Sequence, residues 1–370
     1  MSRRDAVPFM RLTPGEDAAE VRAAIERVVA RGWFVLGPEV EAFEREFAEA
    51  SGAPRAVGVG TGTDALALTL MALGIGRGDE VVTTPLSAAY TGLAIMMAGA
   101  RPVFADIDPD RLTLNPAAVA AAITPRTAAI LPVHLYGQAA DMPALAAVAD
   151  RHGLAIVEDC CQAHLATCQD RPVGSWGTAG AFSFYPTKNL GALGDGGAIV
   201  TGDPALADRL KRLRNGGQTD RYHHVEPGVN SRLDELQAAV LRVRLPLLPG
   251  WTAQRRTLAA LYRARLESAP VTVPPVIDAG HVFHLLVVRS QHREVLRIHL
   301  DACGIATLIH YPVPLPRQGA FAATQPAPCP VADRACAEVV SLPLYPDLAA
   351  DLVDEVATAI QSFIAPVSGA

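Results

Sequence analysis

Between about residues 20 and 215, short apolar runs alternate with stretches whose apolar residues recur every three or four positions. The short runs predict strands over Ala56–Val59, Glu80–Thr83, Arg101–Phe104, Thr127–Val133, Leu154–Glu158, Gly180–Phe184 and Gly197–Thr201. The stretches between several of them, Asp64–Leu73, Ala88–Ala98, Pro116–Ile123 and Met142–His152, carry the helical period. Alternation of this kind predicts an α/β fold, a mostly parallel sheet covered by helices on both faces. From Ser231 a helical pattern runs through Leu245, is expected to end near Pro246 and Pro249-Gly250, and resumes over Trp251–Ser268. Pro270, Pro274 and Pro275 mark a break. Strand-like Val282–Val288 and helix-like Arg293–Cys303 then predict a smaller α+β unit. The expected division is 1–250, a large domain with an N-terminal arm, and 251–370, a small C-terminal domain.

Composition narrows the class. Of 370 residues, 50% are hydrophobic and 19% charged, enough apolar chain for a sizeable core and too much for a disordered or fibrous protein. A net charge of −6 gives no reason to expect a nucleic-acid partner. Met1-Ser2-Arg3-Arg4-Asp5 leads into no apolar signal segment, and stretches such as Ala88–Ala100 are too short and glycine-broken to span a bilayer. Six scattered cysteines without CxxC spacing predict free thiols in a reducing cytoplasm and no zinc site. Of 32 basic residues, only Lys188 and Lys211 are lysines. Arginine stays protonated and cannot act as an amine nucleophile, so a lysine in so arginine-rich a chain raises a chemical question. Lys211 lies in the helix-like run Leu206–Leu213 and needs no special role.

Ligands of open α/β sheets sit beyond the carboxyl ends of the strands. Gly60-Thr61-Gly62-Thr63-Asp64-Ala65-Leu66 follows the first strand and enters a helix, which makes a phosphate cup from small residues and free helix N–H groups. The same residues match G-x-G-x-x-A, so an NAD-dependent oxidoreductase is the rival. That site requires an acid at the end of the second strand, whereas Thr83-Thr84-Pro85 stand there and Asp79-Glu80 come before it. A later strand ends in Glu158-Asp159, and another exits through Tyr185-Pro186-Thr187-Lys188-Asn189 into a glycine-rich loop. A lysine there is partly desolvated, which lowers its pKa toward a reactive amine. Phosphate cup, acid and lysine on one sheet edge are the parts that pyridoxal phosphate (PLP) needs.

Over nearly its whole length the chain resembles the DegT/DnrJ/EryC1/StrS sugar aminotransferases, of PLP fold type I. The resemblance rests on Gly32-Trp33-Phe34-Val35-Leu36-Gly37, Gly62-Thr63-Asp64-Ala65-Leu66, Pro132-Val133-His134-Leu135-Tyr136-Gly137-Gln138 and Glu158-Asp159. It continues through Ser183-Phe184-Tyr185-Pro186-Thr187-Lys188-Asn189, Gly194-Asp195-Gly196-Gly197, Asn230-Ser231-Arg232-Leu233-Asp234-Glu235-Leu236-Gln237 and His310-Tyr311-Pro312. It implies that Lys188 bonds the cofactor and shuttles protons, that Asp159 pairs with the ring nitrogen, and that Gln162 meets the ring hydroxyl. Gly62, Thr63, Asp64 and Ser183 would form the phosphate cup, with Asn230 reaching that phosphate from the neighbouring subunit of a homodimer. Trp33, Tyr185, His310 and Tyr311 would border the sugar. Two departures stand out. Alanine occupies the loop position where the family stacks an aromatic on the ring, leaving Tyr90 as the candidate. Leu165 and Cys168 stand where the family tends to have glycine and tyrosine.

The implied activity moves an amino group, by family habit from glutamate, to a nucleotide-linked keto-sugar. Threonine-aspartate in Gly62–Leu66 favours amination at C3 over C4; an aminocyclitol is the alternative substrate. Related sugar dehydratases, which use PLP or its amine form PMP, carry histidine where this chain has Lys188. A regulatory member would be expected to lose Lys188 or Asp159. His223-His224 lacks a third ligand for a metal. His281 and His284 are expected to be structural, and Cys160 and Cys161 to be packing residues.

Overall fold

The computed structural model describes residues 6–13 and 15–365. Helices α1 (Ala18–Arg31) and α2 (Pro38–Ala50) precede β1 (Arg55–Val59), after which strand and helix alternate. The order is α3 (Gly62–Ala72), β2 (Glu80–Thr83), α4 (Ala89–Met97), β3 (Arg101–Phe104), α5 (Pro116–Ala122), β4 (Thr127–Leu131), α6 (Met142–His152) and β5 (Ala155–Asp159). A small hairpin, β6 (Thr167–Cys168) and β7 (Arg171–Pro172), leads to β8 (Ala179–Ser183), β9 (Gly197–Thr201) and α7 (Pro204–Leu213). A second hairpin, β10 (Gln218–Asp220) and β11 (His223–His224), precedes α8 (Glu235–Arg244) and α9 (Leu248–Arg265). The remainder is β12 (Leu286–Arg289), α10 (Arg293–Ala302), α11 (Pro330–Glu338), β13 (Val339–Leu342) and α12 (Ala350–Gln361).

The main sheet has the order β1-β9-β8-β5-β4-β2-β3. Its pairings are parallel except for β9, which runs antiparallel to both β1 and β8. Strand parity sorts the side chains into two cores. Val57, Val81, Leu131, Val157, Ala181 and Ile199 face the core made with α3, α4 and α7. Ala56, Val82, Ile130, Ile156, Phe182 and Val200 face the core made with α2, α5, α6 and α8. Both faces are thus covered, as the alternation predicts.

Local chemistry explains where the helices begin. The Asp141 carboxylate accepts the Ala144 N–H at 3.2 Å to start α6, and Gly153 closes it at φ 65°. The prolines near 250 do not break the chain as expected. A single 3-10 turn at Leu245–Leu247 joins α8 to α9, and Pro249 lies in the first turn of α9, where its missing N–H costs nothing.

A third core gathers α9 from Leu258 onward with α10, α12, β12 and β13. Two further segments join these cores. Val7 pairs with Ile305 and joins the third core, while Leu315, Phe321 and Ala332 pack into the first core of the main sheet.

Candidate active site

The carboxyl ends of β1, β2, β4, β5 and β8 face one way, and the antiparallel β9 brings its beginning to the same edge. Gly197 makes that approach possible, since a Cβ there would stand 2.4 Å from the Thr61 carbonyl oxygen. The edge opens on a cavity of about 640 Å³. Gly62, Thr63, Tyr90, Asp159, Gln162, Ser183, Tyr185, Lys188, His310 and Tyr311 line it, together with Asp195 of the Gly194–Gly197 motif, Cys161, which was expected only to pack, and Ser87 and Thr91, for which the sequence suggested no role.

At one end lies the start of α3. Thr61 Oγ1 accepts the Asp64 N–H at 3.0 Å, while the first-turn N–H groups of Gly62 and Thr63 have no acceptor within the helix. A Cβ at Gly62 would lie 2.7 Å from Ser183 Cβ and 2.8 Å from Cys161 Sγ, so only glycine lets the helix end nest against β8. The Asp64 side chain turns away from the cavity. It accepts a hydrogen bond from Ser231 Oγ at 2.7 Å, and that oxygen in turn accepts the Gly60 N–H at 2.9 Å. Free donors at a helix N-terminus make an anion cradle.

Strand parity separates the adjacent acids at the end of β5. Glu158 points into the opposite core, where its carboxylate accepts N–H groups of Gly174, Trp176 and Gly177 and pairs with His134 Nε2 at 3.0 Å. His134 Nδ1 accepts the Ala140 N–H, so Nε2 carries the hydrogen. Together with Cys160 these groups come close enough to suggest a metal site. Four donors already occupy the carboxylate, and burial pushes the Cys160 thiol well above its ordinary pKa. The trio therefore organises the loop at 174–177.

Asp159 faces the cavity. Its Oδ2 accepts the Thr91 hydroxyl at 2.8 Å and its Oδ1 the Cys161 N–H at 3.1 Å. Lys188 sits on the turn after β8, its N–H donating to the Tyr185 carbonyl at 2.8 Å. Desolvation lowers its amine below the ordinary lysine range, partly opposed by Cys161 and Asp159. Gln162 is held at both ends: Oε1 accepts the Tyr136 N–H at 2.7 Å, and Nε2 donates to the Tyr311 hydroxyl at 3.0 Å. One hydrogen of that amide remains for a ligand. His310 Nδ1 bonds Ser341 Oγ at 2.8 Å, and burial, with Lys188 adding, lowers the imidazole pKa to about 4, so it is neutral. Tyr90 is exposed at the rim.

Trp33 and Asn230 lie outside this cavity, both exposed. Trp33 Nε1 donates to the Val35 carbonyl at 2.8 Å, and Asn230 bridges Asn215. Beyond Gln162, Leu165 takes φ 59°, a left-handed conformation costing a leucine roughly 1–2 kcal/mol that glycine would not pay. His281 and His284 are buried away from the cavity lining; His284 Nδ1 meets Asn189 Oδ1 at 3.2 Å.

An anion cradle, a buried carboxylate and a desolvated amine around one space suit a phosphorylated aromatic aldehyde with a basic ring nitrogen. The residues present fit PLP on the Gly62 nest and on the carboxylate that Asp159 turns to the cavity.

Fold and site together define the class of fold-type-I aminotransferases. The chain belongs to the DegT/DnrJ/EryC1/StrS aminotransferase family, whose pattern matches residues 16–361. It is 49% identical over 348 residues to the dTDP-3-amino-3,4,6-trideoxy-alpha-D-glucose transaminase of Streptomyces venezuelae, covering 92% of each chain. It is 42% identical to the UDP-N-acetyl-3-dehydro-alpha-D-glucosamine 3-aminotransferase of Acidithiobacillus ferrooxidans, covering 98% of this chain and 99% of that one. The crystal structure of S. venezuelae DesV in complex with a ketimine intermediate superposes with a TM-score of 0.94 at 48% identity, over 97% of this chain and 98% of that one.

Proposed function

We propose that this protein is a PLP-dependent aminotransferase that moves the amino group of an amino acid, glutamate, onto C3 of a nucleotide-linked keto-sugar. The observation that carries the reading is the convergence of the Lys188 amine and the Asp159 carboxylate on a cavity closed by the N-terminus of α3. Relatives whose names specify 3-amino transfer on both dTDP- and UDP-sugars support the C3 position.

PLP would supply an electron sink for the bond-making carbon. The protein's own residues do the rest. The N–H groups of Gly62 and Thr63 and the Ser183 hydroxyl hold the phosphate. Asp159, held by the Thr91 hydroxyl and the Cys161 N–H, pairs with the ring nitrogen. Gln162 donates its free amide hydrogen to the ring hydroxyl. The Lys188 amine, lowered by desolvation, takes the proton from the donor's carbon and returns it on the other side of the exchange. Tyr185, His310 and Tyr311 border the space left for the sugar, and binding of the remote nucleotide positions the small reacting carbonyl.

The site is completed by a second copy. Trp33, Phe34 and Val35, the last bridged to Asp234, are exposed, as are Tyr222, Val225 and Val229 in the segment leading to Asn230, which supports a partner surface there. Trp33 then borders the partner's sugar and Asn230 reaches the partner's phosphate. Mixing Asn230→Ala and Lys188→Ala chains tests this: hybrid dimers carrying one intact site should recover up to about a quarter of wild-type activity. No recovery would argue against sharing. Free thiols at all six cysteines support work in a reducing cytoplasm.

The reading is tested by the visible spectrum of the protein with PLP, before and after glutamate. The expected result is a yellow band that glutamate bleaches, followed by turnover on 3-keto nucleotide sugars. A protein that develops no band sinks the proposal, and a band indifferent to glutamate removes the donor.

A further inference from the structure

Thr91 lies in the first turn of α4 and Ser87 in the loop just before its N-cap, and both are buried on the cavity wall. Thr91 Oγ1 is 2.8 Å from Asp159 Oδ2, and Ser87 Oγ is 3.0 Å from Thr91 Oγ1. A carboxylate only accepts, so the single Thr91 proton goes to Asp159. The contact between the two hydroxyls then has one sense: Ser87 donates to Thr91. The result is a directed chain, Ser87 to Thr91 to Asp159, ending on one oxygen of the carboxylate. The other oxygen is fixed by the Cys161 N–H at 3.1 Å.

We infer that Thr91, backed by Ser87, is a positioning residue for the reaction: it holds Asp159 aimed so that the carboxylate can pair with a protonated ring nitrogen. This rests on the PLP reading above. A donor that is itself polarised by a second donor holds its acceptor more firmly. Without it, a carboxylate beside Cys161 and Tyr311 has one partner fewer on the side of α4.

Thr91→Val keeps the shape and removes the donor. The expected result is a PLP dissociation constant raised about tenfold and a glutamate half-reaction slowed about tenfold to a hundredfold, the range for one hydrogen bond to a charged group. The melting temperature of the cofactor-free protein should stay within a few degrees. Thr91→Ser should restore both quantities, and Ser87→Ala should fall between Thr91→Val and wild type.

The decisive arm is a double-mutant cycle. With Asp159→Asn already present, Thr91→Val should change PLP affinity less than about twofold, because the residue acts through that carboxylate. Equal penalties in the two backgrounds would overturn the inference and leave Thr91 a packing residue. Wild-type affinity and rate in Thr91→Val would overturn it as well. The two readings fail separately: a wild-type chain that binds no PLP removes the cofactor proposal and this inference with it. One that binds PLP while Thr91→Val behaves normally removes this inference alone.

Discussion

Lys188→Ala is expected to abolish amino transfer, lowering kcat by at least about four orders of magnitude, since it removes the residue proposed both to anchor the cofactor and to act as a base, whose proton transfers alone contribute about 10²–10⁴. The argument begins in composition, where only two of 32 basic residues are lysines. It continues in geometry, because the turn after β8 puts this one on the cavity, opposite the N-terminus of α3. The desolvation that lowers its pKa increases the neutral fraction at neutral pH, and the neutral amine is the reacting form. The sharper variant is Lys188→Arg. It keeps the charge and most of the length, but guanidinium stays protonated throughout the working range and offers no lone pair. Both variants should therefore be equally inactive in a coupled assay for glutamate consumption. Retention of more than about 1% of the rate by the arginine variant, roughly 3 kcal/mol short of full loss, would show that Lys188 contributes charge and not chemistry.

Much of this site was legible in the chain because each part announces itself locally. A strand running into Gly-Thr-Gly-Thr-Asp predicts an anion cradle without knowledge of any neighbour, and the rarity of lysine singles out Lys188. Strand ends were legible for the same reason: the sheet edge follows from alternation, and ligands follow from the edge. What escaped depends on contacts between distant segments. The reversed direction of β9 cannot be seen in a run of five apolar residues, because parallel and antiparallel central strands look alike when both faces are buried. Glu235 could not be placed from sequence either: its carboxylate accepts the Gly37, Glu39 and Val40 N–H groups, capping α2 from nearly two hundred residues away. Thr91 looked like an ordinary helix residue, since only the folded sheet brings α4 over the end of β5. Residue type alone did not separate the adjacent acids Glu158 and Asp159; only the resemblance picked out Asp159. Pleating assigns one to a loop and the other to the cavity.

Asp159→Asn is expected to leave the protein folded and able to bind some PLP while cutting turnover by about three orders of magnitude. Survival of the fold follows from the hydrogen bonds. An asparagine amide at this position can accept the Cys161 N–H through its oxygen and donate through its nitrogen to Thr91. The hydroxyl chain then reverses, with Thr91 donating to Ser87, so every polar atom of the trio keeps a partner. What disappears is the negative charge. In a partly buried site, where the effective dielectric constant is near 20, a charge pair at about 4 Å is worth roughly 4 kcal/mol, which corresponds to about a thousandfold in rate when the pair is needed in the transition state. The phosphate contacts proposed for Gly62, Thr63 and Ser183 do not involve this carboxylate, so affinity should fall far less than kcat. The measurement is kcat beside the PLP dissociation constant and the melting temperature. A rate within tenfold of wild type would remove the role assigned to Asp159, and a melting temperature lowered by ten degrees or more would mean that the hydroxyl chain cannot reverse.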